Sequence, residues 1–370
     1  MKFTCDRSAL VDKLAVLARG VSTRSALPVL SGILLQAIDG RIDLFATDME
    51  LSIKTTMATG VEREGEIVVP ARLFSDVVRN LPDQELTIEA SEAAVKVSAG
   101  RAAFSLNAWA AADFPQTSTF EMAGSFAMTR EPFVVTLGKV GRAASRDETR
   151  PILTGVLMTI LGDSLKMVAT DSYRLAVKET RLDQALDAEV QAIVPVKALG
   201  EVARLAATMG PGELEIVIGE NQALFRLADP AGDVWLATRL IDGQFPNYKQ
   251  LLPDTFEHEV TLTREAIMAT ARRVSLLAQK NAPLRLSFGD GRLTLRALTQ
   301  DIGQAEESLD LDFTGEPFEI GFNPNFLIDG IDAIDDDAVL LRFTSPLRPG
   351  LISGSAGDFV YLIMPIRLSS

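Results

Sequence analysis

Two stretches of the chain nearly coincide: "LFATDMELSIKT" over residues 44–55 and "MVATDSYRLAVKE" over 167–179. A repeat constrains a fold more than any single motif does, because every copy must reach the same structure and bury the surface it shares with its neighbours. The offset is steady at 123 over a long span. Leu10, Val11, Leu14 and Leu17 recur as Phe133, Val134, Leu137 and Val140, and "LPVLSGILL" (27–35) recurs as "RPILTGVLM" (150–158). Small insertions then move it: "VVPARLFSDV" (68–77) matches "IVPVKALGEV" (193–202), and "ADFP" (112–115) matches "GQFP" (243–246). A third, fainter copy keeps the helical spacing in Ile267, Met268, Ala271 and Val274, followed by "APLRLSFGDGRLTLRAL" and "IGFNPNFLIDGI". The pattern predicts three tandem domains, 1–120, 121–250 and 251–370.

Each copy alternates in the same way. A short strand such as 1–5 leads into an amphipathic helix near 7–19, whose apolar residues recur at helical period. Strands near 32–38, 41–47 and 50–57 follow, and "EIVVP" opens a second round with a helix near 71–80. Two helices and about eight strands per domain make an α+β fold.

The repeated "ATD" invites a catalytic reading in which Asp48 and Asp171 are paired carboxylates. Their place at a strand-to-strand turn favours a structural one, since an aspartate there bonds nearby backbone N–H groups. The chain has one cysteine, Cys5, and one histidine, His258, and lacks CxxC and HExxH. It cannot form an internal disulfide or a cysteine/histidine zinc site, so no metal or cofactor is expected. Cys5 reads as a small buried hydrophobe, and His258, in the polar run "DTFEHEVTL", as a surface residue. No apolar run reaches the roughly 18 residues of a membrane span, and "MKFTCDRSALVDKL" does not read as a signal peptide. The expected location is cytoplasmic, with no membrane partner.

The net charge of −14 argues against nucleic-acid binding when taken alone. The helix segments depart from it. Segments 7–24, 72–79, 131–146, 197–204 and 264–280 each carry more basic than acidic residues, whereas 325–337 carries five aspartates and no base. On a helical wheel Lys139, Arg142 and Arg146 lie opposite Phe133, Val134, Leu137 and Val140. Basic helix faces on an acidic chain suit a polyanion on one side, held through its phosphates without reading bases.

With "LPVLSGILL", "VVPAR", "FSLNAWAAADFP", "ATDSYRLAV", "LIDGQFPNYKQLLP", "IGFN" and "YLIMPIRL" in this order, the chain resembles the bacterial sliding clamps, the beta subunits of DNA polymerase III, from end to end. The resemblance implies the DNA clamp fold and a head-to-tail homodimer closing into a ring around double-stranded DNA, without sequence preference. It implies a non-catalytic processivity factor that tethers the replicative DNA polymerase, the clamp loader and repair proteins through short linear motifs, often glutamine-led with a leucine and an aromatic residue. Arg24 and Arg150 match family positions near the duplex; Arg142, Arg146, Lys197, Arg204 and Arg273 are added by the helix-face argument. The implied partner-peptide pocket comprises Leu153, Thr170, Ser172, Tyr173, Arg174, Leu175, Pro246, Leu251, Asn323, Phe326, Leu347, Met364, Pro365, Ile366 and Arg367, with Arg174 and Arg367 orienting the peptide. The first copy, "TDMELS", is read with glutamate where that arginine stands and is expected to form no such pocket. Phe104 and Leu106 match the first-domain side of the ring joint and Leu276 the third-domain side, where Arg101 is expected to meet acids such as Glu306 and Glu307. Gln250, Asn281, Tyr173, Pro349 and the terminal Ser369 and Ser370 depart from the family pattern and bear on ligand preference. The competing reading is a repeat scaffold that binds proteins without encircling DNA; it leaves the basic helix faces unexplained.

Overall fold

The structure is a computed structural model that describes every residue except 23–25, 83, 116–119, 279–281, 300–301 and 369–370, and the backbone alone at 187–188. Arg24, Asn281, Ser369 and Ser370 therefore lie outside the described residues. Among the described residues the α-helices are α1 (Arg7–Leu17), α2 (Ala71–Asn80), α3 (Arg130–Val140), α4 (Val196–Met209), α5 (Arg264–Ser275) and α6 (Pro324–Asp332), two in each copy of the repeat.

Local chemistry sets their ends. Asp6 caps α1 by accepting the Ala9 N–H at 2.7 Å, and Leu10, Leu14 and Leu17 turn into the core. Asn323 caps α6 in the same way through the N–H groups of Asn325 and Phe326. Arg130 is a buried cation at the start of α3, and its guanidinium donates to the carbonyls of Gly210, just past the end of α4, and of Glu213. Those carbonyls have no helical partner, so a buried arginine meets a need the backbone leaves open. The strands read as alternating rows: Leu51–Ala58 buries Leu51, Ile53, Thr55 and Met57 and leaves the residues between them less covered.

The chain divides into two compact units. The first comprises Met1–Val134 and Lys197–Leu240, the second Val135–Val196 and Ile241–Ser370. Neither follows the period of the repeat, and the sheets show why. In the first unit Val234–Arg239, from the second copy, pairs antiparallel with Leu51–Ala58, from the first, and an eight-stranded sheet runs through both. In the second unit Phe359–Ile363, from the third copy, pairs with the start of Arg174–Pro195 in a six-stranded sheet. The registers correspond: Leu236 stands opposite Ile53, and Tyr361 opposite Ala176. The backbone bonds after each pairing match too, Arg239 N–H to Glu50 O at 3.2 Å and Met364 N–H to Tyr173 O at 2.8 Å. Leu236 and Tyr361 are both fully buried. Each unit also holds a smaller sheet, of five strands ending at Ala102–Asn107 in the first and of four strands ending at Gly303–Asp310 in the second.

The structure departs from the sequence reading in several places. α3 stops at Val140, and Gly141–Ala143 tighten into a 3-10 turn, so Arg142 and Arg146 stand beyond the helix. Lys139 does not face solvent; it pairs with Asp335 at 2.6 Å and sits over the Phe359 ring. In the middle copy the short strands fuse into a hairpin of two long ones, Gly155–Thr170 and Arg174–Pro195, with register shifts near Ile160–Ser164. His258 is half-buried and stacks on Phe318 at 4.5 Å between ring centroids, so it is an aromatic packing residue. Cys5 is buried, and burial pushes its thiol up to about 12.

The first junction depends on Gly232. Its φ is +112° and a Cβ there would lie 1.9 Å from the Thr56 carbonyl oxygen, while its own carbonyl takes the Lys13 ammonium at 2.7 Å. Gly232→Ala should cost at least ~2 kcal/mol, from a disfavoured φ and a backbone clash together. Thermal denaturation checks this; an unchanged midpoint would contradict the close approach.

Candidate functional site

Both "ATD" aspartates are turn residues. Asp48 Oδ1 accepts the N–H groups of Glu50 and Leu51 at 3.0 and 2.7 Å, and Asp171 Oδ1 accepts those of Tyr173 and Arg174 at 2.9 and 3.0 Å. The following residues, Met49 and Ser172, both take positive φ, 80° and 79°. This conformation is uncommon outside glycine, and the bonds from aspartate and threonine hold it. Each carboxylate is occupied by its own turn, so the structural reading stands.

The two turns have diverged. In the first copy the position of Arg174 is taken not by the expected glutamate but by Leu51, which is buried; Glu50 corresponds to Tyr173. In the second, Tyr173 is 61% exposed, and Arg174 turns inward with 11% of its side chain exposed. Arg174 Nε pairs with Asp171 Oδ2 at 3.0 Å, and an Nη pairs with Asp329 Oδ2 at 2.5 Å and reaches Tyr361 Oη at 3.3 Å. The guanidinium lies 4.3 Å from the centroid of the Phe326 ring. Burial opposes its charge, yet contact with Tyr361, Asp329 and Asp171 outweighs burial and raises its pKa. Burial likewise pushes the Tyr361 hydroxyl up.

Around this turn the second unit gathers an apolar floor. Leu157, Val168, Leu175, Ile193, Tyr248 and Leu362 form a buried cluster, with Ile152, Phe245, Leu252 and Met364 partly covered against it. The tail reaches the turn through the Met364 N–H bond to Tyr173 O, then returns through Ile366 N–H to Gly321 O at 2.7 Å. A Cβ on Gly321 would meet Leu368 at 2.5 Å, so this glycine lets the tail lie close. Thr170, Leu175, Met364 and Ile366 are thus brought to one place, with Phe326 joined to them through Arg174. Leu153 is buried in a 3-10 turn, while Pro246, Leu251, Leu347 and Arg367 are exposed and Pro365 is half-buried. Asn323 serves α6 as its cap. Apolar residues at the rim beside convergent backbone groups are the chemistry of a site for an extended peptide.

The expected DNA cations have specific partners. Arg142 pairs with Asp332 at 3.1 Å and donates to Asp329 O. Arg204 pairs with Glu201, one turn back on α4. Arg273 pairs with Glu307, which draws the Glu307 pKa down and raises that of Arg273. Arg150 joins Asp147 at 3.0 Å, Ser172 Oγ and the Asp171 carbonyl, so it braces the turn from Asp171 to Arg174. Arg146 and Lys197 are exposed.

The expected joint residues lie on or beside edge strands. Ala102–Asn107 ends its sheet with Phe104 46% exposed, whereas Leu106 is buried within that sheet and adds little outer surface. Gly303–Asp310 ends the other, near Leu276, which is 83% exposed. Arg101 is exposed; Glu306 and Glu307 already pair with Arg296 and Arg273 inside the unit. Leu298 and Ile302 are exposed apolar residues of the same region that the sequence reading missed. It also missed Asp329 and Tyr361. The signal for Asp329 was the run of aspartates at 325–337, read only as a break in the basic pattern, and Tyr361 opens the quoted "YLIMPIRL", where the pocket residues were taken from Met364 onward.

Residues 1–118, 128–247 and 249–367 match in turn the N-terminal, central and C-terminal domain families of the DNA polymerase III beta subunit. The chain is 35% identical over 379 residues to the beta sliding clamp of Synechococcus elongatus and 34% over 378 to that of Streptomyces coelicolor, covering all of both chains in each case. Its fold is similar to the crystal structure of the DNA polymerase sliding clamp from Bacillus subtilis, with a TM-score of 0.94, 28% identity and full coverage of both chains.

Asp171→Ala removes two backbone acceptor contacts and one partner of Arg174. It should destabilise the second unit by about 1–3 kcal/mol. Urea denaturation checks this, and loss of less than half a kcal/mol would mean that the positive-φ turn holds itself.

Proposed function

Since the chain belongs to the bacterial DNA polymerase III beta subunit family, we infer that it acts as a homodimeric ring that encircles duplex DNA and tethers its partners there. The chain is a DNA sliding clamp. On this reading its three domains, 1–120, 121–250 and 251–370, meet end to end, and it works in the cytoplasm as a processivity factor without a reaction of its own. Its grip is topological, so weak contact with phosphates suffices and a net charge of −14 is tolerable. Arg24, Arg142, Arg146, Arg150, Lys197, Arg204 and Arg273 are the cations assigned to the duplex. The pocket around Tyr173, Leu251, Leu347 and Met364 receives linear motifs of the replicative polymerase, the clamp loader and repair proteins.

One observation carries the dimer. Counting from the paired strands, Phe104 is the first copy's equivalent of Leu236 and Tyr361. Those two are fully buried at the junctions, and Phe104 is 46% exposed on an edge strand. Ala305, likewise, is the third copy's equivalent of Ile53 and Ala176, again on an edge. An exposed strand edge is a template for pairing with another chain. A second copy offers the missing partner, with Phe104 opposite Ala305, and a head-to-tail contact that repeats closes into a ring.

Charge at the joint should open it. Phe104→Asp or Leu276→Asp is expected to sediment as a monomer at micromolar concentration while the native chain remains a dimer; variants that stay dimeric would contradict the assignment. Encirclement has its own test. Loaded onto nicked circular DNA by its cognate loader and gel-filtered at moderate salt, the protein should remain on circles and leave once they are cut. Equal retention on circular and cut DNA would replace topology with ordinary binding.

A further inference from the structure

The pocket reading gives Arg174 to the peptide as an orienting cation. The contacts of Arg174 give it to the protein instead. Asp171, Asp329 and Tyr361 take its N–H groups, and Phe326 covers its face. A guanidinium so engaged offers little to a ligand.

We propose that Asp329 and Tyr361 are positioning residues of the peptide pocket, holding Arg174 so that it sets the turn from Asp171 to Arg174 at the pocket edge. The proposal rests on the pocket reading above. Arg174 is an intermediary. Its backbone N–H is held by Asp171 and its carbonyl by Thr170 Oγ1 at 2.7 Å, and its side chain reaches α6 and the Phe359–Ile363 strand. Tyr173, which precedes it, is the exposed aromatic rim and fixes the tail through Met364. Asp329 lies one helical turn after Phe326, so one ion pair ties the turn to the helix that supplies a pocket wall. The end of α6 is itself anchored, because Arg142 bonds Asp332 and the Asp329 carbonyl, and Lys139 pairs with Asp335. Removing the Asp329 carboxylate would leave a largely buried cation short of a partner, and the turn would follow wherever that cation moves.

The test uses fluorescence polarisation with a labelled peptide carrying a glutamine, a leucine and a terminal phenylalanine, on the full chain. Asp329→Asn should weaken binding about tenfold, the scale of coupling within one polar network. Tyr361→Phe, which keeps the ring and removes only the hydroxyl, should weaken it less. Arg174→Ala should also weaken binding, and Asp329→Asn should cost nothing further in that background. Asp329→Glu should recover part of the loss. Thermal melts of every variant separate local from global effects. A lowered melting temperature with unchanged affinity would overturn the proposal, as would additive losses in the double variant. If the native protein fails to bind the peptide at any concentration up to millimolar, the pocket reading falls and the proposal with it. Binding by the native protein with unaffected variants removes the proposal alone.

Discussion

Antiparallel strand pairing between successive copies of the repeat is the constraint on which the rest of this molecule depends. A strand edge buried without partners leaves a row of unsatisfied N–H and C=O groups, and one left in water invites unwanted pairing. The chain meets this twice, with Val234–Arg239 on Leu51–Ala58 and Phe359–Ile363 on the start of Arg174–Pro195. The compact units therefore cut across the repeat, because each is organised around a junction. The proposed peptide pocket follows from one junction directly: its turn begins one of the paired strands and its tail leaves the other.

The two junctions also show how one repeated framework acquires different uses. At the first, Lys54 pairs with Asp43 at 3.1 Å and lies near the rings of Phe45 and Trp235. At the second, Arg174 lies over Phe326 and pairs with acids on either side. Both place a long cation against an aromatic ring, where the stem packs and the charge still finds acceptors. The aspartates of α6 and the residues after it belong to this second junction. They receive Arg142, Lys139 and Arg174, so the acidity that sets the sixth helix apart neutralises bases from the preceding copy.

Much of the architecture was legible because it rests on period and spacing. The strands at 32–38 and 41–47 and the helix at 71–80 fall where the apolar pattern puts them. The role of the "ATD" aspartates was legible because turn chemistry is local. What escaped was set by contacts distant in sequence. Lys139 looked solvent-facing on a helical wheel, which carries no information about Asp335 or Phe359. Arg174 looked like a ligand group because Asp329 and Tyr361 are more than 150 residues away. His258 looked polar because the phenylalanines that pack on it, tilted and stacked, come from 313 and 318.

The account stands on a third pairing made by a second copy. The register of the first two places Ser105 opposite Gln304, and the chain's single native cysteine, Cys5, is buried with its thiol held protonated, so it will not interfere. The most direct measurement is oxidation of a Ser105→Cys, Gln304→Cys variant, followed by denaturing electrophoresis without reductant. The account predicts a covalent dimer that forms rapidly at micromolar concentration and is absent from either single variant. Monomer alone, under conditions where the protein sediments as a dimer, would contradict the register and the pairing that the rest of the argument requires.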